Sequence, residues 1–133
     1  MFIDRLINQG NIPLLEQMVR FTAARARVLG ENITNISTPN YQQKDLSLDN
    51  FQQELRDRVA LRKDAGPGEI RFEGIEKPIE SPDRNILFHD RNNRSVEKLM
   101  SDWEQNAMSH NLMTELLRKQ FSSIQDALKE RVT

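Results

Sequence analysis

The chain has 133 residues, a length typical of one domain or one elongated unit. Its 19 lysine and arginine residues nearly balance 20 aspartate and glutamate residues, whereas proteins that bind nucleic acid or membranes through charge carry a basic excess. It contains no cysteine, which excludes disulfides and thiolate metal sites. No apolar run is long enough to cross a bilayer, and the first residues do not predict a cleavable signal peptide.

The first helical pattern runs from about Pro13 to the residue before Pro39. Asn11 is a candidate N-cap, and the missing N–H of Pro13 costs nothing near the first helical position. Pro39 should end the helix, because the residue before a proline is displaced from helical backbone angles. Apolar and small residues recur in steps of four and three, which predicts one narrow coiled-coil seam. This seam comprises Leu15, Val19, Thr22, Ala26, Leu29, Ile33 and Ile36.

The second helical pattern is longer, since no glycine or proline interrupts residues 95–130. Its cap candidates are Asn92, Asn93 and Ser95. A helix of this length measures about 54 Å, whereas a compact domain of this size is only about 36 Å across. The two terminal helices should therefore pair as an elongated antiparallel hairpin. The second seam comprises Val96, Met100, Trp103, Ala107, His110, Thr114, Leu117, Phe121, Ile124 and Leu128.

The segment between the two patterns, residues 42–91, has a mixed character. Residues 49–61 predict a short helix capped by Asp49, with Phe51, Leu55 and Val59 on one side. A glycine- and proline-rich turn follows at residues 65–68.

Weak strand candidates occupy residues 69–72 and 85–89, and Pro78 and Pro82 favour a loop between them. The predicted fold class is therefore mainly α. It is an elongated antiparallel hairpin or coiled coil with a small irregular middle that contains a short helix and weak β elements. Its predicted parts are 1–41, 42–91 and 92–133.

The predicted seams are weakest at their centres. Thr22 and Ala26 on the first helix, and His110 and Thr114 on the second, are small or polar. Because an isolated hairpin of this kind is marginal, we expect full ordering only when neighbouring subunits cover the helices. Cooperative melting of a fully helical, dilute monomer in circular dichroism would count against this expectation.

Signals of enzymatic chemistry are poor. The five glycines form no nucleotide-binding motif. His110 lies within a seam, where a histidine is packed or solvated far more often than it is a ligand, and His89 lacks a demonstrable third metal ligand. Trp103 is not surrounded by a basic patch that would stack bases. The sequence therefore predicts no enzyme, no catalytic, cofactor or metal site, and neither nucleic acid nor a small-molecule substrate as partner.

The most specific stretch is residues 32–41, Asn-Ile-Thr-Asn-Ile-Ser-Thr-Pro-Asn-Tyr. Asn32 and Asn35 share a helix face, and their amides are placed to bridge to a neighbour. Pro39 forbids a helical continuation, and Asn40 tolerates a left-handed turn. Tyr41 can then fold back, with its ring buried and its hydroxyl bonded. On physical grounds alone, this is most simply a helix end followed by a turn.

This stretch resembles the N-terminal signature of bacterial flagellar rod and hook proteins, Asn-x-x-Asn-x-x-Thr-Pro-Gly-Tyr. The short chain length is similar to that of the proximal rod protein, the B-type rod subunit, rather than to the longer distal rod or hook subunits. Asn40 stands where the family has glycine and keeps the left-handed option. The resemblance marks as an assembly signature Asn32, Asn35, Ile36, Thr38, Pro39, Asn40 and Tyr41.

The C-terminal region carries the same resemblance. Residues 90–100 are similar to the stretch Asp-Gly-Asn-Asn-x-Asp-x-Glu-x-Glu-Met that opens the family's C-terminal helix. Residues 116–124 are similar to the family's Leu-x-x-Lys-Phe run. Arg91 replaces a glycine, which disfavours a positive-φ turn before the last helix. Residues 42–89 carry little resemblance.

The resemblance implies a structural, non-enzymatic axial subunit. Such subunits polymerise helically, with copies of themselves and other rod proteins, into the drive shaft that transmits torque and encloses the export channel. It implies the membrane ring and the type III export gate as partners at the base. It also implies export without a cleaved signal peptide and a place in the rod that spans the periplasm. The terminal helices would form an inner coiled-coil layer, with Asn32 and Asn35 bridging subunits.

Two other classes of protein remain as alternatives. A coiled-coil adaptor or secretion chaperone of a type III export system would form a stable, defined oligomer at micromolar concentration, whereas a rod subunit would be monomeric or aggregate open-endedly. A small hydrolase would need a convergent polar site that the sequence does not offer. The apolar edge of residues 2–7 fits packing on neighbouring subunits better than binding to a membrane surface.

Overall fold

The computed structural model describes residues 10–39, 41–65, 80–82 and 93–130. Within these ranges the chain forms α1 (Ile12–Thr34), β1 (Lys44–Leu46), α2 (Leu48–Asp64), β2 (Glu80–Pro82) and α3 (Asn93–Glu130). The mainly α fold class predicted from the sequence is confirmed. Most of the predicted turn and both weak strand candidates, at 66–68, 69–72 and 85–89, lie outside the described residues.

Helices α1 and α3 pack against each other in opposite directions. Thr22 of α1 bonds to Asn106 and His110 of α3, whereas Gly30, two turns further along α1, lies against the earlier residue Trp103. The 38 residues of α3 extend for about 57 Å, and the 23 residues of α1 for about 35 Å. The last turns of α3 therefore reach past Ile12, and the hairpin is elongated.

The end of α1 comes earlier than predicted, at Thr34 rather than just before Pro39. The side chain of Asn35 donates to the carbonyl of Glu31 at 2.9 Å, and its oxygen accepts from the hydroxyl of Thr38 at 3.2 Å. Backbone bonds spanning three residues then replace the helical pattern. Short polar side chains compete with the helix for backbone groups, so these residues stop α1 about one turn before the proline would.

The start of α1 uses its predicted cap residue only in part. Asn11 occupies the N-cap position, but its side chain makes no capping bond; its carbonyl accepts from the N–H of Leu15 at 2.9 Å. Pro13 lies within the first two helical positions, as predicted, where no N–H is needed.

The prediction that Asp49 caps the middle helix is wrong. Ser47 is the N-cap of α2, and its hydroxyl oxygen accepts from the N–H of Asn50 at 3.3 Å. Asp49 lies instead in the first turn, where its negative charge is favourable beside the free N–H groups. The helix also continues to Asp64, beyond the predicted end at Leu61.

The main buried cluster lies between α1, β1 and α2. The rings of Phe21 and Phe51 stack, with centroids 4.1 Å apart and planes inclined by 11°. Val28, Leu46 and Leu55 complete the buried part of the cluster. Partly buried residues packed around it are Leu14, Met18, Ala24 and Val59.

Helix α1 consequently buries two neighbouring stripes. Leu15, Thr22 and Leu29 are buried at seven-residue spacing on the side that meets α3. Phe21 and Val28, one residue earlier and so about 100° around the helix, are buried against α2 and β1. The prediction of one narrow seam on this helix is therefore wrong. The first stripe follows it, but the second was not anticipated.

Strands β1 and β2 form a two-stranded antiparallel sheet, in which Lys44 pairs with Pro82. The prediction of a loop between Pro78 and Pro82 is thus wrong at Glu80–Pro82, which form a strand. Lys44 directs its N–H and C=O away from β2, since both groups of a strand residue point to the same side. Pro82, which has no N–H, therefore removes no bond from the ladder.

No helix among the described residues is long and apolar enough to span a membrane.

Candidate assembly site

Asn32, the first residue of the signature, is buried, with 1% of its surface exposed. Its side-chain Nδ2 donates to the carbonyl of Lys44, and its Oδ1 accepts the Lys44 N–H at 3.0 Å. The hydroxyl of Tyr41 lies 3.5 Å from the same Oδ1. Tyr41 folds back towards Asn32 as predicted, but the residue is half-buried rather than buried.

The hypothesis that Asn32 uses its amide to bridge subunits is wrong, because both ends of the amide are bonded within the chain. The amide of Asn35 is also used locally, with Glu31 and Thr38. The signature thus closes the end of α1 onto β1 in the single subunit. Its contribution to assembly stays a prediction.

The remaining signature residues surround this closure. Thr38 and Pro39 are exposed, and Ile36 is half-buried. The backbone N–H of Tyr41 donates to the carbonyl of Thr38 at 3.3 Å, which draws the chain back after the proline. Asn40 lies outside the described residues, so its left-handed turn stays a prediction.

A half-buried ion pair beside the signature was missed from the sequence. Nε and Nη2 of Arg25 donate to the two carboxylate oxygens of Asp45, each at 2.9 Å. The hydrogen bonds that Arg25 donates to Asp45 raise the pKa of Arg25; burial opposes this shift, and the negative charges of Asp45 and Asp102 reinforce it. The signal in the sequence is that Arg25 precedes Asn32 by seven residues, so both occupy one face of α1.

The polar centre of the predicted seam is satisfied by hydrogen bonds. The hydroxyl of Thr22 reaches the carbonyl of Met18 at 2.9 Å, and its oxygen lies 2.8 Å from Nδ1 of His110. Both contacts are satisfied when the hydroxyl donates to Met18 and accepts from an Nδ1–H of His110. The buried amide of Asn106 donates to the carbonyl of Thr22 at 2.8 Å.

The seam of α3 is displaced from the predicted one at this level. Asn106 is buried, whereas the predicted neighbour Ala107 is exposed. A strict step of four and three drifts around a helix of 3.6 residues per turn. Asn106, one position before Ala107, therefore faces α1 at this level. The step of four from Asn106 to His110 was the available signal.

The other predicted seam residues are covered to different degrees. Leu15 and Leu29 are buried, and so is Leu99, which widens the second seam. Half-buried seam residues are Val19, Ile33, Val96, Leu117, Ile124 and Leu128. Met100, Trp103 and Phe121 are exposed. One chain alone therefore covers the second seam incompletely.

Gly30 allows α3 to approach α1 near the end of the seam. A Cβ atom at this position would lie 3.3 Å from the indole ring of Trp103, which is tighter than an ordinary van der Waals contact. Trp103 still exposes 39% of its surface. Its ring thus covers the glycine with one part and faces outward with another.

A second apolar surface lies on the side of α3 that faces away from α1. It consists of Met108, Leu112 and Leu116, here called the outer α3 patch, which are all exposed. They are spaced four residues apart and so lie one above the other. Residues 105–114, which surround Met108 and Leu112, contain no Asp, Glu, Lys or Arg, whereas Glu115 and Lys119 lie near Leu116. Depletion of charge around exposed methionine and leucine is typical of protein interfaces.

The described residues contain no cluster of three or more side chains that could hold a metal ion. His89 lies outside the described ranges.

Comparison with known proteins gives one result that bears on function. No protein-family model and no solved structure matches the chain. The flagellar basal body rod protein FlgB of Bacillus subtilis (strain 168) is 26% identical to it over 120 residues, which cover 90% of this chain and 93% of that protein. The resemblance to the flagellar rod proteins, and among them to the proximal rod protein, is thereby confirmed.

Proposed function

We propose that this chain is a structural subunit of the flagellar basal-body rod and not an enzyme. The observation that carries the proposal is the similarity to a basal body rod protein along nearly the whole of both chains. An elongated helical hairpin with apolar surface left exposed on α3 supports it. Such a hairpin is suited to assembly with other subunits.

Assembly would place the hairpin in a helical array of this subunit and other rod proteins. The segments 1–41 and 92–133 would form the inner coiled-coil layer of the shaft, and the segment 42–91 would lie outside it. The outer α3 patch supports this arrangement, since its methionine and leucine side chains are exposed on the side of α3 away from α1. A heterologous contact of this kind continues from subunit to subunit without closing.

The position proposed for the subunit is the proximal rod. There the subunit would adjoin the membrane ring and the type III export gate, transmit torque and line the export channel across the periplasm. It would arrive through the flagellar export apparatus without a cleaved signal peptide. The similarity to a basal body rod protein supports a place in the rod. The proximal position, the neighbours and the export route are part of the proposal.

The test is incorporation into basal bodies in the native host. The double variant Met108→Glu, Leu112→Glu should remain a helical monomer, because both side chains are exposed. It should be missing from purified basal bodies, and the cells should not swim, because charges would be buried in the contact. The control Gln52→Glu adds a charge on the exposed side of α2 and should assemble.

Two outcomes would overturn the proposal. One is absence of the unaltered protein from purified basal bodies; the other is normal swimming of the double variant. Sedimentation adds a further check. A stable, defined oligomer of the free protein at micromolar concentration would favour an export chaperone or adaptor instead.

A second test uses the signature. Pro39→Ala and Tyr41→Ser should impair assembly and motility without abolishing expression, since these residues shape the exit from α1. Tyr41→Phe is the matched control, because it keeps the ring and removes only a long hydroxyl contact. Normal swimming of both altered strains would contradict the role assigned to this turn.

A further inference from the structure

Two side chains of α1, seven residues apart, hold two successive residues of β1. Arg25 binds the carboxylate of Asp45 through two nitrogen atoms. Asn32 binds both backbone groups of Lys44. These four residues are here called the clasp.

The amide of Asn32 takes the place of a neighbouring strand. A strand residue points its N–H and C=O to the same side, and a carboxamide offers one acceptor and one donor at matching spacing. Burial of Asn32 leaves no water to compete for these bonds. An aspartate would supply the acceptor for the Lys44 N–H but no donor for its carbonyl.

The clasp uses the side of β1 that β2 leaves free. β2 pairs with β1 on one side, and Asn32 bonds to the other through Lys44. One residue beyond β1, Ser47 caps α2, whose Phe51 stacks on Phe21. The chain after α1 is thus attached to that helix at Phe21, Arg25 and Asn32.

We propose that Asn32, the first asparagine of the signature, is a positioning residue that acts inside the subunit. Together with the pair Arg25–Asp45, it holds β1 on α1 and fixes the direction in which residues 41–65 leave the helical hairpin, before any neighbour binds. The signature asparagine would then present the middle segment in one orientation to the assembly. The orientation in the free subunit does not depend on the proposed function; only the presentation of the middle segment to an assembly rests on it.

The local test is hydrogen exchange of the Lys44 amide, followed by NMR in the full-length chain. Asn32→Leu keeps the approximate volume and removes the acceptor for that N–H. We expect Lys44 to exchange about tenfold faster or more, because loss of a buried partner leaves the group unsatisfied, while amides of α3 keep their protection. The matched control is Asn35→Leu, which removes an amide that bonds only to Glu31 and Thr38 in the described structure.

The test of orientation is the distance between spin labels on α1 and α2. The chain has no cysteine, so Ala23→Cys and Gln52→Cys, both at exposed positions, can be labelled without background. We expect one narrow distance distribution in the otherwise unaltered chain and in the Asn35→Leu control. Asn32→Leu should broaden the distribution, and so should Arg25→Lys, which keeps the charge but loses the two-point contact.

The results that would overturn the inference are specific. Unchanged exchange at Lys44 in Asn32→Leu would show that the amide does not protect this group. An equally narrow distance distribution in both clasp variants would show that the clasp does not set the orientation. If Asn32→Leu loses helix content, Arg25→Lys alone decides the second test. Failure of these tests would leave incorporation into basal bodies unaffected, so the two proposals can fail separately.

Discussion

Helices α1 and α3 differ in how completely the rest of the chain covers them. On the side that meets α2 and β1, Phe21 is stacked and buried, and the clasp residue Asn32 is buried with both amide ends bonded. On the side that meets α3, a polar group centred on Thr22 joins the helices, and Trp103 remains partly exposed. Helix α1 thus buries residues on both of these sides, whereas α3 keeps Trp103, Met108 and Leu112 exposed.

The buried and the exposed residues therefore have different roles, which the sequence alone does not distinguish. The cluster around Phe21 and the clasp stabilise one subunit and orient its middle segment. The exposed residues of the second seam and the outer α3 patch stabilise little in the free chain, because their side chains keep much of their surface in water. Variants of the buried cluster and the clasp should therefore change the stability of the subunit, whereas variants of the exposed α3 residues should change it little.

The largest expected effect on stability is at the buried cluster around Phe21. Phe21→Ala should lower the free energy of unfolding by about 3–5 kcal/mol, since it empties the centre of the cluster. Urea unfolding followed by circular dichroism measures the change. Phe121→Ala, in the exposed part of the second seam, is the control and should cost about 1 kcal/mol or less. Equal losses would contradict the comparison.

The next largest effect should come from the polar centre of the helix pair. Asn106→Ala should lower the free energy of unfolding by about 1–3 kcal/mol, because the buried hydrogen bond from its amide to the carbonyl of Thr22 is lost. Gln105→Ala, at the exposed adjacent position, should change the same free energy by no more than about 0.5 kcal/mol. A loss at residue 105 as large as that at residue 106 would show that the register of the pair is different.

The clasp ion pair should have a smaller effect on stability. Arg25→Met should lower the free energy of unfolding by about 1 kcal/mol, discounted because Asp45 is partly exposed. Asp45 raises the pKa of Arg25, so the stabilisation by the charged arginine is complete below its ordinary alkaline pKa and is lost only above the raised value. The difference between variant and parent should therefore not change through titration of Arg25 between neutral and moderately alkaline pH. A marked fall of that difference over this range would contradict the assignment.

The smallest expected effect is at Gly30. Alanine gains up to about 1 kcal/mol of helix propensity, but its Cβ would press on the ring of Trp103. Because Trp103 is partly exposed and can shift, Gly30→Ala should leave the free energy of unfolding within about 0.5 kcal/mol of the parent. Trp103 is the only tryptophan, so a red shift of its emission would report the displacement. A large loss of stability would mean that the ring is held rigidly.

The elements with a long, uninterrupted pattern could be predicted from the sequence. Helix α3 and its antiparallel pairing with α1 follow from apolar periodicity and from the absence of glycine and proline. The fold-back of Tyr41 follows from the proline before it and from its own amphipathic ring. Each of these depends on residues close in sequence or on a pattern repeated many times.

The features that escaped prediction depend on contacts between distant residues. β1 is only three residues long, and bonds to Asn32 and Arg25 of α1 hold it in place, so no alternation marks it in the sequence. The second stripe of α1 has meaning only beside Phe51 of α2. Asn106 displaced Ala107 because its amide could reach the carbonyl of Thr22. The spacing of residues along one helix can mark one partner of such a contact, but not the distant residue that it meets.

Protection of the outer α3 patch on assembly tests the central claim most directly. The variant Met108→Cys supplies the only thiol of the chain at a position with 73% of its surface exposed. A maleimide reagent should label the free subunit quickly, and the same residue should be protected in intact basal bodies purified from swimming cells. Equally fast labelling in both states would show that neighbours do not cover this surface, and the account of α3 as an assembly helix would be contradicted.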